Sequence, residues 1–444
     1  MNIRKKLSYS LKWISLESLI YHFLFLAHQV LLLKTCGYEK YGAIGALFSI
    51  IYLTVTITSI GLESSLSPFF KEMTKSKNLF KSFFIQQIIP TILLSIATFP
   101  VFIALKRIFS QEISYFFILT ISLIILFESV KKTLRAILYL AFNAKVNMYI
   151  ETISFAVYMV TIWLLYAQIK IISLNIIFIP MLFMSVMSCA FLFAYVYKFY
   201  AKLPSNSKFE IRGISKTRIF KCRIINFVNQ FSHNMFSSNF LVPFFAMQFG
   251  LAQAGVFKIL SHISYSITML IRKIFGWTSD ALLSQAKDLS MAEKQNIFSR
   301  INQKINHVLI GIIIFFTINI SKILNFTNAS KTMLNWPLIS FFMIITLTEN
   351  LFISYEKFYI AEEKNGLLLS INLLSMFFLF SAIHYSPNIS QFLLLFYITT
   401  IRATSFLLLA LISFYKWNIK PSIQIKPMYI AGSLLAAAIF FVIV

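Results

Sequence analysis

Lys258, His262, Tyr265, Met269, Arg272 and Gly276 follow one another at steps of three or four residues. On an α-helix those steps place all six on one face. A face carrying two cations and an imidazole suits a phosphate or pyrophosphate group, because bonds from Lys or Arg to phosphate oxygens are charge-assisted. The competing explanation is that Lys258 and Arg272 extend to opposite membrane interfaces along their aliphatic stems. Arg402 is harder to account for. It lies inside FLLLFYITTIRATSFLLLALISF, at least ten residues from either end of that run. Either a cargo phosphate or a buried carboxylate must offset its charge, and the acids to consider are Glu17, Glu128 and Glu349.

A second group of candidates is polar rather than cationic. Glu17, Tyr21 and His28 share a face at helical spacing, and so do Asn226, Gln230, His233 and Ser237. Hydroxyl, amide and imidazole groups in such rows suit a sugar chain. Asn, Gln and Ser also bond neighbouring helices to each other, so a purely structural role stands beside the first. Glu349 is either the partner of Arg402 or a proton site. Glu128 stands next to Lys131 and Lys132 and reads as half of a local ion pair.

These residues need elements to hold them, and composition says which. Of 444 residues 58% are hydrophobic and only 12% are charged, whereas a soluble domain carries about a quarter charged. So little polar surface cannot cover a water-soluble body, and lipid must be the solvent for most of the chain. In hydrocarbon the backbone must satisfy its own hydrogen bonds, and long apolar runs are therefore helices. Twelve runs are long enough to span a bilayer: 13–33, 42–62, 83–105, 113–130, 148–167, 174–197, 224–247, 256–276, 306–325, 337–356, 366–384 and 391–415. A thirteenth, 428–444, sits at the lower limit of length.

The net charge of +25 does not indicate nucleic acid. The cations fall between apolar runs, as they do in cytoplasmic loops of membrane proteins. With the N-terminus inside, Lys and Arg divide 29 to 7 in favour of the inner segments. That asymmetry predicts a cytoplasmic N-terminus in a bacterial inner membrane. Cys36, Cys189 and Cys222 have no CxxC or metal-binding spacing, and no disulfide framework follows. The basic N-terminal patch precedes a run holding Glu17, His22 and His28 with no small-residue cleavage site, so it reads as a first span.

The organisation is a duplication. A basic segment, KFYAKLPSNSKFEIRGISKTRIFKCR, separates six spans from six more. This predicts a six-helix lobe over 1–197, a cytoplasmic linker over 198–223, a second six-helix lobe over 224–415 and a tail over 416–444. The turn LLLKTCGYEKYGAIG has a counterpart in FFAMQFGLAQAGVF, each with G-x-x-x-x-G: Gly37 and Gly42, then Gly250 and Gly255. Since each half holds an even number of spans, the repeat is parallel, about an axis along the membrane normal. Neither motif is a phosphate loop, because Ala43 and Val256 stand where Lys would follow. The expected fold is therefore an all-α polytopic membrane protein of two six-helix bundles.

With this 6+6 plan, the GYEKYG turn and the basic exits PFFKEMTKSK and LLSQAKDLSMAEK, the chain resembles Wzx-type polysaccharide flippases. These lie within the multidrug/oligosaccharidyl-lipid/polysaccharide exporter superfamily. The resemblance covers about residues 1–415. It implies a central cavity worked by alternating access. Its implied cargo is an undecaprenyl-pyrophosphate-linked oligosaccharide for O-antigen or other surface polysaccharide. It also implies a monomer in contact with membrane lipid, working beside glycosyltransferases and a polymerase, with no cofactor, metal or nucleic acid. Lys258, Arg272 and Arg402 would then bear on the pyrophosphate. Glu17, Tyr21, His28, Asn226, Gln230, His233, His262, Tyr265 and Glu349 would supply polar cavity or coupling groups.

Two other functions remain. A multidrug or cation antiporter of the same superfamily is disfavoured by the cationic stripe, which repels a cationic cargo. A membrane enzyme, such as a polysaccharide polymerase or ligase, would carry a large external loop with catalytic residues. The longest internal loop on the outer side, FTNASKTMLNW, has no acid, and no HExxH, Ser-His-Asp set or glycine-rich nucleotide loop occurs.

Overall fold

The structure is a computed structural model of the full chain. It describes residues 3–59, 61, 66, 69–70, 72–109, 114–170, 172–205, 216–271, 365–386 and 389–417, with scattered positions between 290 and 359. Among the described residues every regular element is a helix. We number them α1 (Ile3–Ser59), α2 (Lys77–Phe109), α3 (Tyr115–Leu140), α4 (Ala144–Ile169), α5 (Leu174–Ala201), α6 (Lys216–Asn234), α7 (Ser238–Phe249), α8 (Leu251–Ile271), α9 (Asn365–Tyr385) and α10 (Gln391–Trp417). Six described segments are long and apolar enough to cross a bilayer: Lys12–Ser59, Lys77–Ile103, Ala144–Ile169, Leu174–Ala201, Gly366–Tyr385 and Gln391–Lys416. The protein is thus an all-α, multi-pass membrane protein.

Local chemistry sets the helix ends. Ser114, Ser173 and Ser237 cap α3, α5 and α7, each side chain accepting a backbone N–H of the first turn. Lys170 closes α4 in the left-handed region at φ 60°. The run 224–247, expected as one span, is two helices. Met235–Ser237 interrupt it between α6 and α7. Ser237 turns its hydroxyl to the Asn239 amide at 3.3 Å, and Pro243 removes a backbone donor in the second turn of α7. A serine-rich junction in front of a proline favours a cap over an uninterrupted helix.

By their contacts the residues form two compact units. Unit 1 comprises 1–24 and 47–234, and unit 2 comprises 25–46 and 235–444. In unit 1, α3 is the central helix. It packs against α2 and α5, and more lightly against α4, and Ile124, Ile125, Leu134, Ala136, Ile137 and Leu138 are wholly buried. The outer helices show large apolar side chains, among them Leu93, Ile153, Leu164 and Phe183. Exposed residues of this kind are the lipid-facing surface such a bundle requires.

Unit 2 contains the glycine motifs. Gly37 interrupts α1 at φ 73°, ψ 171°, and Gly250 separates α7 from α8 at φ 86°, ψ 164°. This region of backbone space is essentially open to glycine alone. Both first glycines thus take the same rare conformation. The second glycines then meet across a crossing of α1 and α8. A Cβ on Gly42 would overlap the Leu251 carbonyl oxygen, and one on Gly255 would overlap that of Tyr38. Tyr38 and Leu251 each follow the first glycine of their own motif, so the two contacts exchange under the repeat. Small residues at a crossing let backbones approach in lipid, where close packing replaces the hydrophobic effect. Tyr41, wholly buried beside this crossing, donates to the Gln29 side chain at 2.9 Å and braces the two arms of the Gly37 turn.

Candidate functional site

Unit 1 holds a buried ionic network on four helices. On α3, Glu128, Lys131, Arg135 and Tyr139 recur at steps of three and four and share a face. Lys131 Nζ lies 2.6 Å from Glu128 Oε1 and 3.8 Å from Glu151 Oε2 of α4. Arg135 Nη1 reaches Glu151 Oε2 at 3.7 Å, and its Nη2 lies 4.0 Å from Glu17 Oε1 of α1. Tyr139 donates to Glu17 Oε2 at 2.6 Å, and Ser185 of α5 donates to Glu128 Oε1 at 2.7 Å. Asn147 donates to the Arg135 carbonyl at 3.2 Å and ties the start of α4 to α3. Lys145, over the Trp13 ring at 5.1 Å, packs at the end of the network.

Glu17 is wholly buried, while the Arg135 side chain keeps 26% of its surface exposed. Charges this deep persist because they are paired and hydrogen-bonded. Among the described residues the network joins Glu17, Glu128 and Glu151 to Lys131 and Arg135.

Unit 2 holds the opposite sign. Lys258 on α8 is 3% exposed and lays its stem over Gly45 of α1, where a Cβ would come within 2.9 Å of the lysine Cγ. The glycine makes room for the lysine. One turn along, the His262 ring meets Phe25 of α1 edge to face at 4.8 Å. His28, one turn from Phe25, is buried too and lies close enough to His262 to act on it, as Lys258 does. Chain positions far apart in the sequence thus form one basic cluster.

Arg402 on α10 is buried, with its guanidinium 5.1 Å above the ring of Phe236. Phe236 belongs to the interruption between α6 and α7. One turn beyond Arg402, Ser405 meets Ser375 of α9 at 2.5 Å, with Asn372 buried a turn before it. Glu17 and Glu128, two of the acids considered as partners for Arg402, are held by α3 residues in unit 1.

The remaining candidates separate. Tyr21 packs on Phe155 of α4 in unit 1, with ring centroids 5.0 Å apart. Glu17 and Tyr21 therefore belong to unit 1, and His28 of the same row to unit 2. Asn226 is buried on α6 and contacts Cys222 Sγ at 3.5 Å. Gln230 and His233 are half-buried on the same helix. Tyr265 lies on α8, with its side chain outside the described residues, and Arg272 and Glu349 lie outside them altogether. Among the described residues no group of His, Cys, Asp and Glu could hold a metal ion.

Arg135, Tyr139, Glu151 and Ser185 were absent from the sequence candidates. The signal for Arg135 and Tyr139 was present, since Glu128–Lys131–Arg135–Tyr139 has the same spacing as the Lys258 row. Ending the fourth span at residue 130 cut that row. In the structure α3 runs on to Leu140, and the expected loop 131–147 shrinks to Ala141–Asn143 between helices. Lys131, read there as a loop cation, is 5% exposed.

No family model matches the chain, and no curated protein matches it in sequence. Solved structures do match. A MOP superfamily transporter from Pyrococcus furiosus, described as having a binding pocket of reverse polarity, aligns with a TM-score of 0.66 at 11% identity, over 92% of this chain and 95% of that one. A MATE protein in complex with MaL6 aligns at 0.64 and 13% identity, over 92% and 96%. A mutant of the Vibrio cholerae MATE transporter VcmN aligns at 0.62 and 10%, over 94% and 98%. At such identities the likeness speaks for the fold, and the chain has the fold of MATE and MOP superfamily transporters along nearly its whole length.

Proposed function

We propose that this chain is a transporter, not an enzyme. It flips undecaprenyl-pyrophosphate-linked oligosaccharide repeat units across a bacterial cytoplasmic membrane by alternating access, for O-antigen or other surface polysaccharide. The observation that carries this reading is Lys258, a buried lysine one turn from His262 on α8, with His28 close by on α1. A basic cluster inside an apolar bundle is costly to keep, and ionisable groups in membrane segments mark the path of a cargo or ion. Their sign selects an anion. Arg402 adds a second buried cation, and Arg272 a third on the sequence row. The orientation has the N-terminus in the cytoplasm, supported by the 29 to 7 division of Lys and Arg. The protein acts as a monomer beside glycosyltransferases and a polymerase.

A second reading, a multidrug or cation antiporter, draws on the network of unit 1, where Glu17, Glu128 and Glu151 are buried together. The two readings part in proteoliposomes. Lys258→Ala and Arg402→Ala should each abolish translocation of lipid-linked oligosaccharide, with Lys258→Arg and Arg402→Lys recovering part of it at equal protein level. Full transport by both alanine variants would overturn the flippase reading. Uptake or efflux of ethidium by the unmodified protein, with no flipping of lipid-linked oligosaccharide, would establish the antiporter instead.

A further inference from the structure

The surface of α5 carries a graded stripe. Phe183, Met187, Phe191, Tyr195, Lys198 and Lys202 recur at steps of three and four and are all exposed. Side chains at that spacing share one helix face. Along it the order is hydrocarbon, then a phenol ring, then ammonium groups. Lys198 Nζ lies 5.0 Å from the Tyr195 ring centroid. On α2 the same order runs from the start of the helix. Lys77 and Lys81 come first, then Ile85, Ile89 and Leu93, each four residues further on. Lys77 is partly exposed and the other four are exposed.

The cationic ends of the two stripes meet within unit 1. The Lys77 amide donates to the Pro204 carbonyl at 3.0 Å, two residues past Lys202. Phe80, buried between them, packs on Phe199 and Tyr200 with ring centroids 5.9 and 5.8 Å away. Phe199 also stacks on Phe70. This aromatic seam fixes where α2 begins relative to where α5 ends. Among the described residues of 69–85 and 191–205, Glu72 is the one acid beside Lys75, Lys77, Lys81, Lys198 and Lys202.

We infer that this end of α2 and α5 holds the phosphate headgroup of an anionic phospholipid, with the acyl chains along the apolar continuation of the stripes. Tyrosine and lysine near a helix end sit at the level of the lipid headgroups, and the lysine stem lies along apolar surface while its ammonium reaches the phosphate. One such lysine marks an interface. Here four, from two helices locked together, stand above exposed hydrocarbon. An amphiphile with an anionic head complements the whole stripe, whereas a soluble anion would use only its charged end. The inference holds whether the transported cargo is an anion or a cation.

The test is native mass spectrometry of the purified full-length protein in detergent. Dioleoyl phosphatidylglycerol and dioleoyl phosphatidylcholine are offered at equal concentration. Phosphatidylglycerol should be retained in preference by about fivefold or more, the factor that a single lysine near an anionic headgroup contributes. Lys77→Gln with Lys81→Gln, and Lys198→Gln with Lys202→Gln, should each bring the ratio towards one at an unchanged unfolding midpoint. Lys198→Arg with Lys202→Arg should keep it, and so should Lys170→Gln, which removes an exposed lysine at the end of α4. Equal retention of the two lipids by the unmodified protein would overturn the inference. So would a preference unchanged in both glutamine double variants, or one lost as fully in Lys170→Gln. Displacement of phosphatidylglycerol by inorganic pyrophosphate at constant ionic strength would assign the lysines to a soluble anion instead.

Discussion

In unit 1, Glu17, Glu128 and Glu151 are each within 4.0 Å of a cation. In unit 2, Lys258, His262 and His28 gather on two helices with the same sign. Both sets are buried, both sit in a membrane bundle, and both are built from residues at helical spacing. They differ in what balances them. In the first set carboxylates and cations pair with each other, so its charges hold α1, α3, α4 and α5 together. The second set brings basic side chains together on α1 and α8, and it is the set that the proposed function assigns to the cargo. Buried charge alone therefore does not separate a structural network from a proposed cargo site.

Substitutions that separate these two roles would sharpen the comparison. The largest effect should come from Lys131→Met in unit 1. Removing one partner of a buried pair takes the cation from Glu128 and leaves Glu151 to Arg135, a loss of about 3–5 kcal/mol, read as a lower unfolding midpoint in detergent. Lys258→Met in unit 2 should do the reverse. Its described neighbours His262 and His28 are basic, so the midpoint should fall less than in Lys131→Met while flipping of lipid-linked oligosaccharide falls at least tenfold. If Lys258→Met unfolds the protein as readily as Lys131→Met, the contrast drawn here collapses.

A smaller effect is expected from Ser185→Ala. It deletes one hydrogen bond to the Glu128 carboxylate, a contribution of about 1.5–3 kcal/mol for a charged acceptor. Thermal unfolding should show it, and Glu128→Gln in the same protein should shrink it, because the acceptor is then neutral. The smallest change belongs to Phe236→Leu beneath Arg402. It removes a cation–π contact of about 0.5–2 kcal/mol, again seen in the midpoint, and should leave Arg402 able to serve an anion. A loss of transport as severe as that of Arg402→Ala would show that Phe236 does more than support the guanidinium.

Much of the fold was legible in the chain. The apolar runs are helices because lipid offers the backbone no other partner, and among the described residues the structure bears this out. The paired G-x-x-x-x-G motifs pointed to a repeat, and Gly37 and Gly250 share a backbone conformation that few residues other than glycine adopt. The interruption at Met235–Ser237 was not legible, because hydropathy counts apolar residues and does not register where capping wins over helix. The network of unit 1 was missed for a related reason. Charge density at 131–135 resembles a loop in hydropathy, whereas tertiary pairing lets the helix carry those charges inside.

By itself, the sequence determined that this chain lives in a membrane, that it is helical, and that Lys258 and His262 stand one helical turn apart. Those properties follow from solvent and from the 3.6-residue period, both of which act locally along the chain. Only the tertiary structure decided which charges neutralise each other. It put Glu17 with Tyr139 and Arg135, and His28 with His262 and Lys258. Electrostatic pairing depends on separations of a few ångströms between residues more than a hundred positions apart. Spacing within one helix says nothing about that distance, because it is set by how the helices pack.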